Sequence, residues 1–223
     1  MGLVNLGVPE NEVEYLRDNL NLDVFVEGGT YKGTTAKKMS DKFSLVYTIE
    51  KSDAMFSLAE GSLKSINNIF LLKGDTRNHL DKILENNDNI LFWLDAHWSG
   101  GDTYGENDEC PLLEELSIIF SHDKNHIILI DDARLFLAPP PLPHKILNWP
   151  SLGDILDIVP TNWDLLIFED VIYIFPDQNS KHIKAFFQGL VTKRWDEYCR
   201  ANKSTVLNGL KLAARGMLRG NIY

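Results

Sequence analysis

Short apolar runs, each closed by polar residues, recur along the chain up to residue 131. This pattern is typical of strands that are buried on both faces of a parallel sheet. The runs that we interpret as strands lie at residues 23–27, 43–50, 69–75, 89–95 and 126–131. Segments with helical spacing of apolar residues separate them, at residues 34–40, 53–65, 76–84 and 111–120. Strict alternation of strand and helix predicts a doubly wound α/β fold with helices on both faces of the sheet.

The pattern changes after the fifth predicted strand. Residues 134–151 are rich in proline, which cannot continue a helix or a central strand, so they are predicted to form a long loop over the strand ends. A short helix at 152–158 follows, and then two apolar runs meet at Glu169 and Asp170. This last feature indicates a tight antiparallel hairpin. The sequence therefore predicts a mostly parallel, seven-stranded sheet with an antiparallel final strand.

The composition is compatible with one domain. The chain has 223 residues, 44% of them hydrophobic, and we expect a core at about 10–176 with a helical extension at about 177–223. The formal net charge of −10 disfavours nucleic acid and membrane surfaces as partners. Cys110 and Cys199 are too far apart in sequence to indicate a disulfide framework or a thiolate zinc site. With no apolar stretch approaching the ~20 residues of a membrane span, we expect a soluble cytoplasmic protein.

A glycine-rich turn joins the first predicted strand to the next helix. It has the sequence EGGTYKGT at residues 27–34, and glycines at such a turn let the backbone approach a ligand closely. The spacing does not fit the GxGxxG pattern of dinucleotide-binding folds. It resembles instead the first motif of the Rossmann-like (class I) S-adenosylmethionine-dependent methyltransferases, E-x-G-x-x-x-G, matched here by Glu27, Gly29 and Gly33.

The resemblance extends to the ends of three further strands. Glu50 closes the second strand, where a carboxylate can accept hydrogen bonds from both ribose hydroxyls. Asp75 closes the third strand, where that family places an acid near the adenine amino group, and Asp95 closes the fourth. Read alone, Glu50 is also compatible with a solvated strand end and Asp75 with a helix cap. The resemblance implies that S-adenosylmethionine is bound by Glu27, Gly28, Gly29, Thr30, Tyr31, Gly33, Thr34, Glu50, Asp75 and Asp95.

The fifth predicted strand ends in a pair of acids, Asp131 and Asp132, and its neighbour ends in Asp95. Three carboxylates at one rim repel each other unless a cation joins them, and a hard divalent ion such as Mg²⁺ or Mn²⁺ prefers oxygen ligands. The arrangement resembles the metal-dependent small-molecule and sugar O-methyltransferases, which implies Asp95, Asp131 and Asp132 as metal ligands. The alternative is that one of the paired acids contacts Arg134 or caps the following turn.

His97 lies two residues beyond Asp95, in a polar loop that is too long for a plain connection. An imidazole titrates near working pH, so His97 is predicted to be the catalytic base, together with Asp95. A histidine in such a loop can also simply bond to the backbone. The proline-rich residues 138–150 are predicted to close over the site as a lid.

Taken together, these features predict methyl transfer to a hydroxyl of a small polar acceptor, sugar-like or anionic. One alternative is a metal-dependent nucleotide-sugar glycosyltransferase, which explains Asp95 and His97 but leaves the glycine turn unused. Another is a non-catalytic nucleotide-binding subunit. The basic carboxy-terminal segment, residues 193–219, can guide an anionic acceptor, contact a second subunit or form a solvated helical face. Transfer to oxygen rather than nitrogen, and formation of a homo-oligomer, are left open.

Overall fold

The computed structural model describes residues 7–98 and 108–219. Within these ranges the strands form one seven-stranded sheet. Their bounds are β1 Val24–Gly28, β2 Leu45–Glu50, β3 Ile69–Lys73, β4 Ile90–Leu94, β5 Ile127–Ile130, β6 Trp163–Phe168 and β7 Val171–Pro176. The spatial order is β3-β2-β1-β4-β5-β7-β6. Strands β1 to β5 pair in parallel, whereas β7 runs antiparallel to both β5 and β6. The predicted fold class is confirmed.

Helices connect the parallel strands. Their bounds are α1 Glu10–Leu20, α2 Thr34–Ser40, α3 Asp53–Leu63, α4 Arg77–Asn86, α5 Leu112–Ser121, α6 Arg134–Leu137, α7 Leu152–Ile158 and α8 Asp177–Arg219. A 3₁₀ turn adds Ile146–Asn148. Every residue of β1, β4 and β5 is buried, as expected for central strands covered on both faces. The core therefore lies along the middle of the sheet, and the ends of these strands are held rigidly.

Three local features differ from the sequence prediction. Helix α1 was not predicted, because its sequence is rich in charge and buries only Val13 and Leu16. The single-turn helix α6 and the 3₁₀ turn lie in the segment that was predicted to be a continuous loop. Helix α6 forms there because its side chain Phe136 is buried, and it ends just before the prolines that begin at residue 139.

The β6–β7 hairpin turns at the two predicted residues. Phe168 pairs with Val171, which leaves Glu169 and Asp170 as the two turn residues. Glu169 has a φ of 54°, the left-handed conformation that tight hairpin turns require. The turn returns the chain antiparallel beside β5 and so brings Asp170 to the carboxyl end of the sheet.

The described residues divide at Ser180 into two compact units. The first contains the whole sheet, and the second begins at Lys181 and consists of the greater part of α8. Of the helices described, none is both long and apolar enough to cross a membrane.

Candidate functional site

The glycine turn after β1 packs against the chain segment that leaves β4. Gly29 has a φ of 93°, and a Cβ atom there would lie 2.3 Å from the carbonyl oxygen of Asp95. Gly33 has a φ of 76°, and a Cβ atom there would lie 2.8 Å from a methyl group of Leu63 in α3. Both conformation and space therefore require glycine at these two positions. The close packing fixes the turn beside Asp95 at the carboxyl edge of the sheet.

Glu50, at the end of β2, is held by the backbone. Its Oε2 accepts a hydrogen bond of 2.8 Å from the Tyr31 amide, and its Oε1 accepts one of 2.7 Å from the Ser52 amide. The residue is only 7% exposed. Each oxygen of an ionised carboxylate can accept a second bond, so this oriented group retains capacity for a ligand hydroxyl. The glycine turn and the end of β2 are thereby joined into one structure.

Glu27, at the end of β1, lies beneath the turn. Its Oε2 accepts a 2.5 Å hydrogen bond from the hydroxyl of Thr48, which lies 2.6 Å from the hydroxyl of Thr30. Burial, with smaller contributions from the carboxylates of Asp95 and Glu50, raises the pKa of Glu27 to about 8, against the opposing hydrogen bond from Thr48. Glu27 is therefore largely protonated at neutral pH. Among the other predicted cofactor residues of the turn, Tyr31 and Thr34 are exposed.

Asp75, beyond β3, is paired with two cations. Arg77 donates hydrogen bonds of 2.8 and 2.7 Å to its carboxylate, and Lys51 donates one of 2.7 Å. These side chains hold the pKa of Asp75 far below its usual range, against the opposing effect of partial burial. The Arg77 amide also donates to Asp75, at 3.1 Å, where α4 begins. Asp75 thus makes the contacts of a helix cap at the position predicted for an adenine contact.

An acidic rim, which we define as Asp95, Asp131 and Asp132, lies where β4 and β5 end. His97 joins two of its members, because Nε2 lies 3.3 Å from Oδ1 of Asp95 and 3.2 Å from Oδ2 of Asp132. These are ion-pair distances, without the alignment of good hydrogen bonds. Burial alone would lower the pKa of His97, but the contacts with Asp132 and Asp95 raise it above its ordinary value.

The acids of the rim differ in their protonation. Burial, with smaller contributions from the neighbouring acids, raises the pKa of Asp95 to about 6, against the effect of His97, and that of Asp131 to about 7. Asp132 is also desolvated, yet its contacts with His97 and Arg134 keep its pKa below the ordinary value. Asp132 adopts a φ of 57°, and its amide donates a 2.8 Å bond to Asp131. The rim therefore holds both ionised and protonated carboxyls near neutral pH.

The rim does not have the geometry predicted for a Mg²⁺ site. Arg134 donates a 2.7 Å hydrogen bond to Oδ1 of Asp132 and also pairs with Asp170, while His97 faces the other oxygen of Asp132. Across residues 7–98 and 108–219, no group of three or more His, Cys, Asp or Glu side chains is arranged to hold a metal ion. The negative charge of the rim is balanced by the Arg134 guanidinium and the His97 imidazole, and the three carboxylates do not converge on one point where an ion would bind. The alternative contact with Arg134 that the sequence left open is present.

The proline-rich segment is anchored by a buried acid that the sequence did not single out. Glu109 accepts hydrogen bonds of 2.8 Å from the indole of Trp149 and of 3.1 Å from the Lys145 amide, and it lies 3.2 Å from Nδ1 of His144. The Trp149 ring in turn lies 5.3 Å from the His97 ring, centroid to centroid. Of residues 138–150, Trp149 thus packs against the histidine. Closure as a lid stays a prediction, and residues 99–107 of the preceding loop lie outside the described residues.

A second missed residue, Glu115, lies on α5. It is 1% exposed, and burial raises its pKa to about 7, with a further increase from Asp75 and an opposing hydrogen bond from Thr76. A sequence signal for its burial exists, since Glu115 falls on the same helical face as the buried residues Leu112, Leu116 and Ile119. A carboxyl on an apolar helical face is a marker of function or of specific pairing.

The sequence matches no protein-family model and no curated protein. Several solved structures share its fold. The O-methyltransferase TomG from Streptomyces achromogenes, solved with SAM, superposes with a TM-score of 0.54 at 9% identity, over 78% of this chain and 82% of that one. The SAH-bound methyltransferase PaMTH1 from Podospora anserina gives a TM-score of 0.53 at 17% identity, over 77% and 80% of the two chains.

The O-methyltransferase from Bacillus cereus, solved with SAH, is similar to the same extent, with a TM-score of 0.54 at 12% identity over 77% of this chain and 82% of that one. The strand order and the reversed β7 agree with the resemblance that the glycine turn indicates. The chain has the Rossmann-like fold of the class I S-adenosylmethionine-dependent methyltransferases.

Proposed function

We propose that this protein transfers a methyl group from S-adenosylmethionine to a hydroxyl of a small, polar, sugar-like acceptor. The observation that carries the proposal is the position of His97 at the rim. A largely buried imidazole lies between two carboxylates, in the loop that follows β4, the strand that pairs with β1 and so adjoins the glycine turn. Likeness in fold to methyltransferases solved with SAM or SAH supports the same function. This reaction requires a rigid cofactor-binding site with a basic group beside it.

The residues at the ends of β1 and β2 fit the proposed cofactor. Glu50 presents a carboxylate that two backbone amides already orient, so it can accept hydrogen bonds from a ribose diol without further ordering. The backbone of the turn from Gly28 to Gly33 would surround the methionine end, and Asp75 would lie on the adenine side. When bound, S-adenosylmethionine supplies a methyl group on a positively charged sulfur. The protein therefore has to orient the acceptor, remove a proton and exclude water.

His97 is proposed to remove the acceptor's proton. The acceptor's hydroxyl proton would pass to Nε2 of His97 as the acceptor oxygen takes the methyl group, while the carbon–sulfur bond would break with its electron pair left on the sulfur of S-adenosylhomocysteine. Asp95 and Asp132 lie 3.3 and 3.2 Å from that nitrogen and stabilise the imidazolium that forms. The Trp149 ring beside His97 shields it from solvent. Such base catalysis contributes about 10²- to 10⁴-fold to a rate.

The proposal includes no step through a metal ion. The sequence favoured Mg²⁺ on Asp95, Asp131 and Asp132, but Arg134 and His97 contact the oxygens of Asp132 that a shared ion would need. An imidazole between two acids can perform the proton transfer without a Lewis acid. Arg134 instead holds Asp132 in position through its second contact, with Asp170.

Cofactor binding distinguishes the proposal from its alternatives. Thermal unfolding is measured with S-adenosylhomocysteine and, separately, with a nucleoside diphosphate plus Mn²⁺, for the unmodified chain and the variants Glu50→Ala and Glu85→Ala. Glu85 is an exposed residue of α4 and serves as the matched control. We expect S-adenosylhomocysteine to stabilise the unmodified chain and the control but not Glu50→Ala. Stabilisation by the nucleoside diphosphate alone would favour a glycosyltransferase or a nucleotide-binding subunit.

Methyl transfer itself is tested with labelled S-adenosylmethionine and a panel of monosaccharides, sugar acids and small phenols. Label is expected in the sugar fractions, as an ether that resists alkaline hydrolysis. Labelled amines in place of ethers would show that the acceptor atom is nitrogen. Binding of the cofactor without transfer to any acceptor would leave the chain as a binding subunit.

A further inference from the structure

A small pocket lies between His97 and the start of helix α5. It has a volume of about 10 Å³, close to what one water molecule needs. Its walls are mainly apolar side chains from the ends of β4 and β5 and from α5 and α6. Three of its lining residues carry polar groups: His97, Glu115 and Cys110. The pocket is therefore a sparsely polar cavity between the proposed base and helix α5.

Three buried polar atoms of the residues that line this pocket lack a hydrogen bond in the part of the chain that the structure describes: Nδ1 and Nε2 of His97 and Oε1 of Glu115. Nε2 lies at ion-pair distance from Asp95 and Asp132, which leaves Nδ1 of His97 and Oε1 of Glu115 without a charged neighbour at such a distance. The Thr76 hydroxyl bonds to the Glu115 carboxyl and Nε2 of His97 faces the rim, so each side chain is oriented at its other end. A buried polar atom without a partner is destabilising, so Nδ1 of His97 and Oε1 of Glu115 beside one cavity require an explanation.

We propose that one buried water molecule in this pocket bridges Oε1 of Glu115 and Nδ1 of His97, which makes Glu115 a positioning residue for the base. The inference rests on the proposed function for its catalytic meaning, but the bridge is a separate structural statement. A buried water needs two to four polar partners, and the two orphan atoms provide two. The Cys110 thiol is a weaker third, since burial keeps it a thiol by raising its pKa to about 12.

The bridge determines which nitrogen of His97 carries the proton. The water donates one hydrogen to Oε1 of Glu115, which accepts as an unprotonated oxygen, and accepts the hydrogen of Nδ1. The lone pair of the neutral imidazole is then on Nε2, directed at the rim where the acceptor's proton has to be taken. Without the bridge, the two acids near Nε2 would favour the hydrogen on that nitrogen. The lone pair would then be on Nδ1, where it cannot accept the acceptor's proton at the rim. Acids that orient a catalytic histidine from its far side act in the same sense.

The tautomer of His97 is the direct test. Protein labelled with ¹⁵N in the histidine rings is examined by NMR, with the His97 signals identified by their loss in His97→Asn. The variants are Glu115→Leu, which removes the bridge, and Glu115→Gln, whose amide oxygen can still accept from the water. Glu85→Gln, an exposed change on α4, is the matched control.

We expect the hydrogen on Nδ1 of neutral His97 in the unmodified protein, in Glu115→Gln and in the control. In Glu115→Leu we expect it to move to Nε2. Unchanged His97 signals in a folded Glu115→Leu protein would overturn the proposal. If Glu115→Leu does not fold, a crystal structure of the unmodified protein decides, because the absence of an ordered water within hydrogen-bond distance of both atoms would equally overturn it.

Turnover separates positioning from cofactor binding. In Glu115→Leu, kcat is expected to fall by about 10- to 100-fold, the usual effect of losing an orienting partner, while KM for S-adenosylmethionine stays unchanged. Glu115→Gln should recover much of the loss. An unchanged kcat together with a shifted tautomer would overturn the catalytic part of the proposal. If the unmodified protein methylates nothing, the proposed function fails, and the NMR result still decides whether the bridge exists.

Discussion

The two sides of the strand-end edge treat their acids in opposite ways. On the side of β2 and β3, each carboxylate is paired: Glu50 with two backbone amides, and Asp75 with Arg77 and Lys51. On the side of β4 and β5, carboxylates face each other, and the pKa values of Asp95 and Asp131 rise to about 6 and 7. The pKa of Asp75 is therefore lowered and those of Asp95 and Asp131 are raised, and on the rim it is Asp132, in contact with His97 and Arg134, whose pKa is also lowered.

This contrast is compatible with the roles that the proposed function gives to the two sides. A group that binds a ligand benefits from being ordered beforehand, since the ordering then costs nothing on binding. A group that stabilises a charge formed during a reaction has to be placed where that charge appears, even at the expense of stability. The paired side fits ligand binding. The acidic rim fits stabilisation of a positive charge on His97. Placing its carboxylates in a buried, mutually repelling arrangement is unfavourable, which is why the pKa values of Asp95 and Asp131 are raised.

The largest expected effect is on turnover, from His97→Asn. Loss of the base should lower kcat by about 10²-fold or more, because asparagine cannot accept a proton. Binding of S-adenosylhomocysteine, measured by calorimetry, should be unchanged, since His97 lies at the acidic rim and not among the residues proposed to bind the cofactor. His122→Asn, at a histidine that pairs with Asp81, is the control and should retain full activity. Full turnover by a folded His97→Asn protein would remove the proposed base.

Next in size is the effect of Glu50→Ala on the paired side. Loss of charge-assisted hydrogen bonds to the ribose should weaken cofactor binding by about 1–3 kcal/mol in calorimetry. Asp75→Ala is expected to weaken it less, because Arg77 and Lys51 already occupy the Asp75 carboxylate. An equal loss of cofactor affinity in both variants would mean that the ion pairs of Asp75 with Arg77 and Lys51 do not weaken its hydrogen bonds to the cofactor.

Two buried acids, Glu27 and Glu115, should make the stability of the protein depend on pH. Burial raises the pKa of Glu27 to about 8 and that of Glu115 to about 7, above an ordinary value near 4.5. The folded protein therefore holds protons that the unfolded chain has released. The contribution of these groups to the free energy of unfolding should be fully present below about pH 4.5. It should be lost as pH rises towards 7 for Glu115 and towards 8 for Glu27, by up to about 1.4 kcal/mol per pH unit for each group.

Urea unfolding at successive pH values measures this slope. Glu115→Gln should reduce the slope between pH 5 and 7, as the neutral amide titrates no proton, whereas Glu85→Gln should leave it unchanged. A stability that rises over this pH range would show that the buried acids are ionised and paired in the folded protein.

The smallest expected effect is that of chelation. Because His97 and Arg134 contact the oxygens of Asp132, exhaustive EDTA treatment should leave methyl transfer unaltered. Loss of methyl transfer in EDTA and its recovery with Mg²⁺ would contradict a metal-free acidic rim. The acids of the rim would then rearrange around an ion, as the sequence resemblance implied.

The positions of the acids at the strand ends could be predicted because they depend on local pattern. A buried parallel strand has a period and a length that apolar residues reveal, and parallel strands all end at the same edge of the sheet. Glu27, Glu50, Asp95 and Asp131 follow directly from that rule. The partners of these acids could not be predicted in the same way, since nothing near Asp132 in the sequence indicates that Arg134 would also reach Asp170, 36 residues further on.

The sequence by itself determined the alternation of strands and helices, the reversed final strand and the acids at one edge, because each depends on residues close together in the chain. Tertiary structure alone decided that Glu109 anchors the proline-rich segment and that Glu115 and His97 line one pocket. It also decided which acids are protonated. A pKa depends on burial and on charges brought together from distant parts of the chain, and these exist only once the chain has folded.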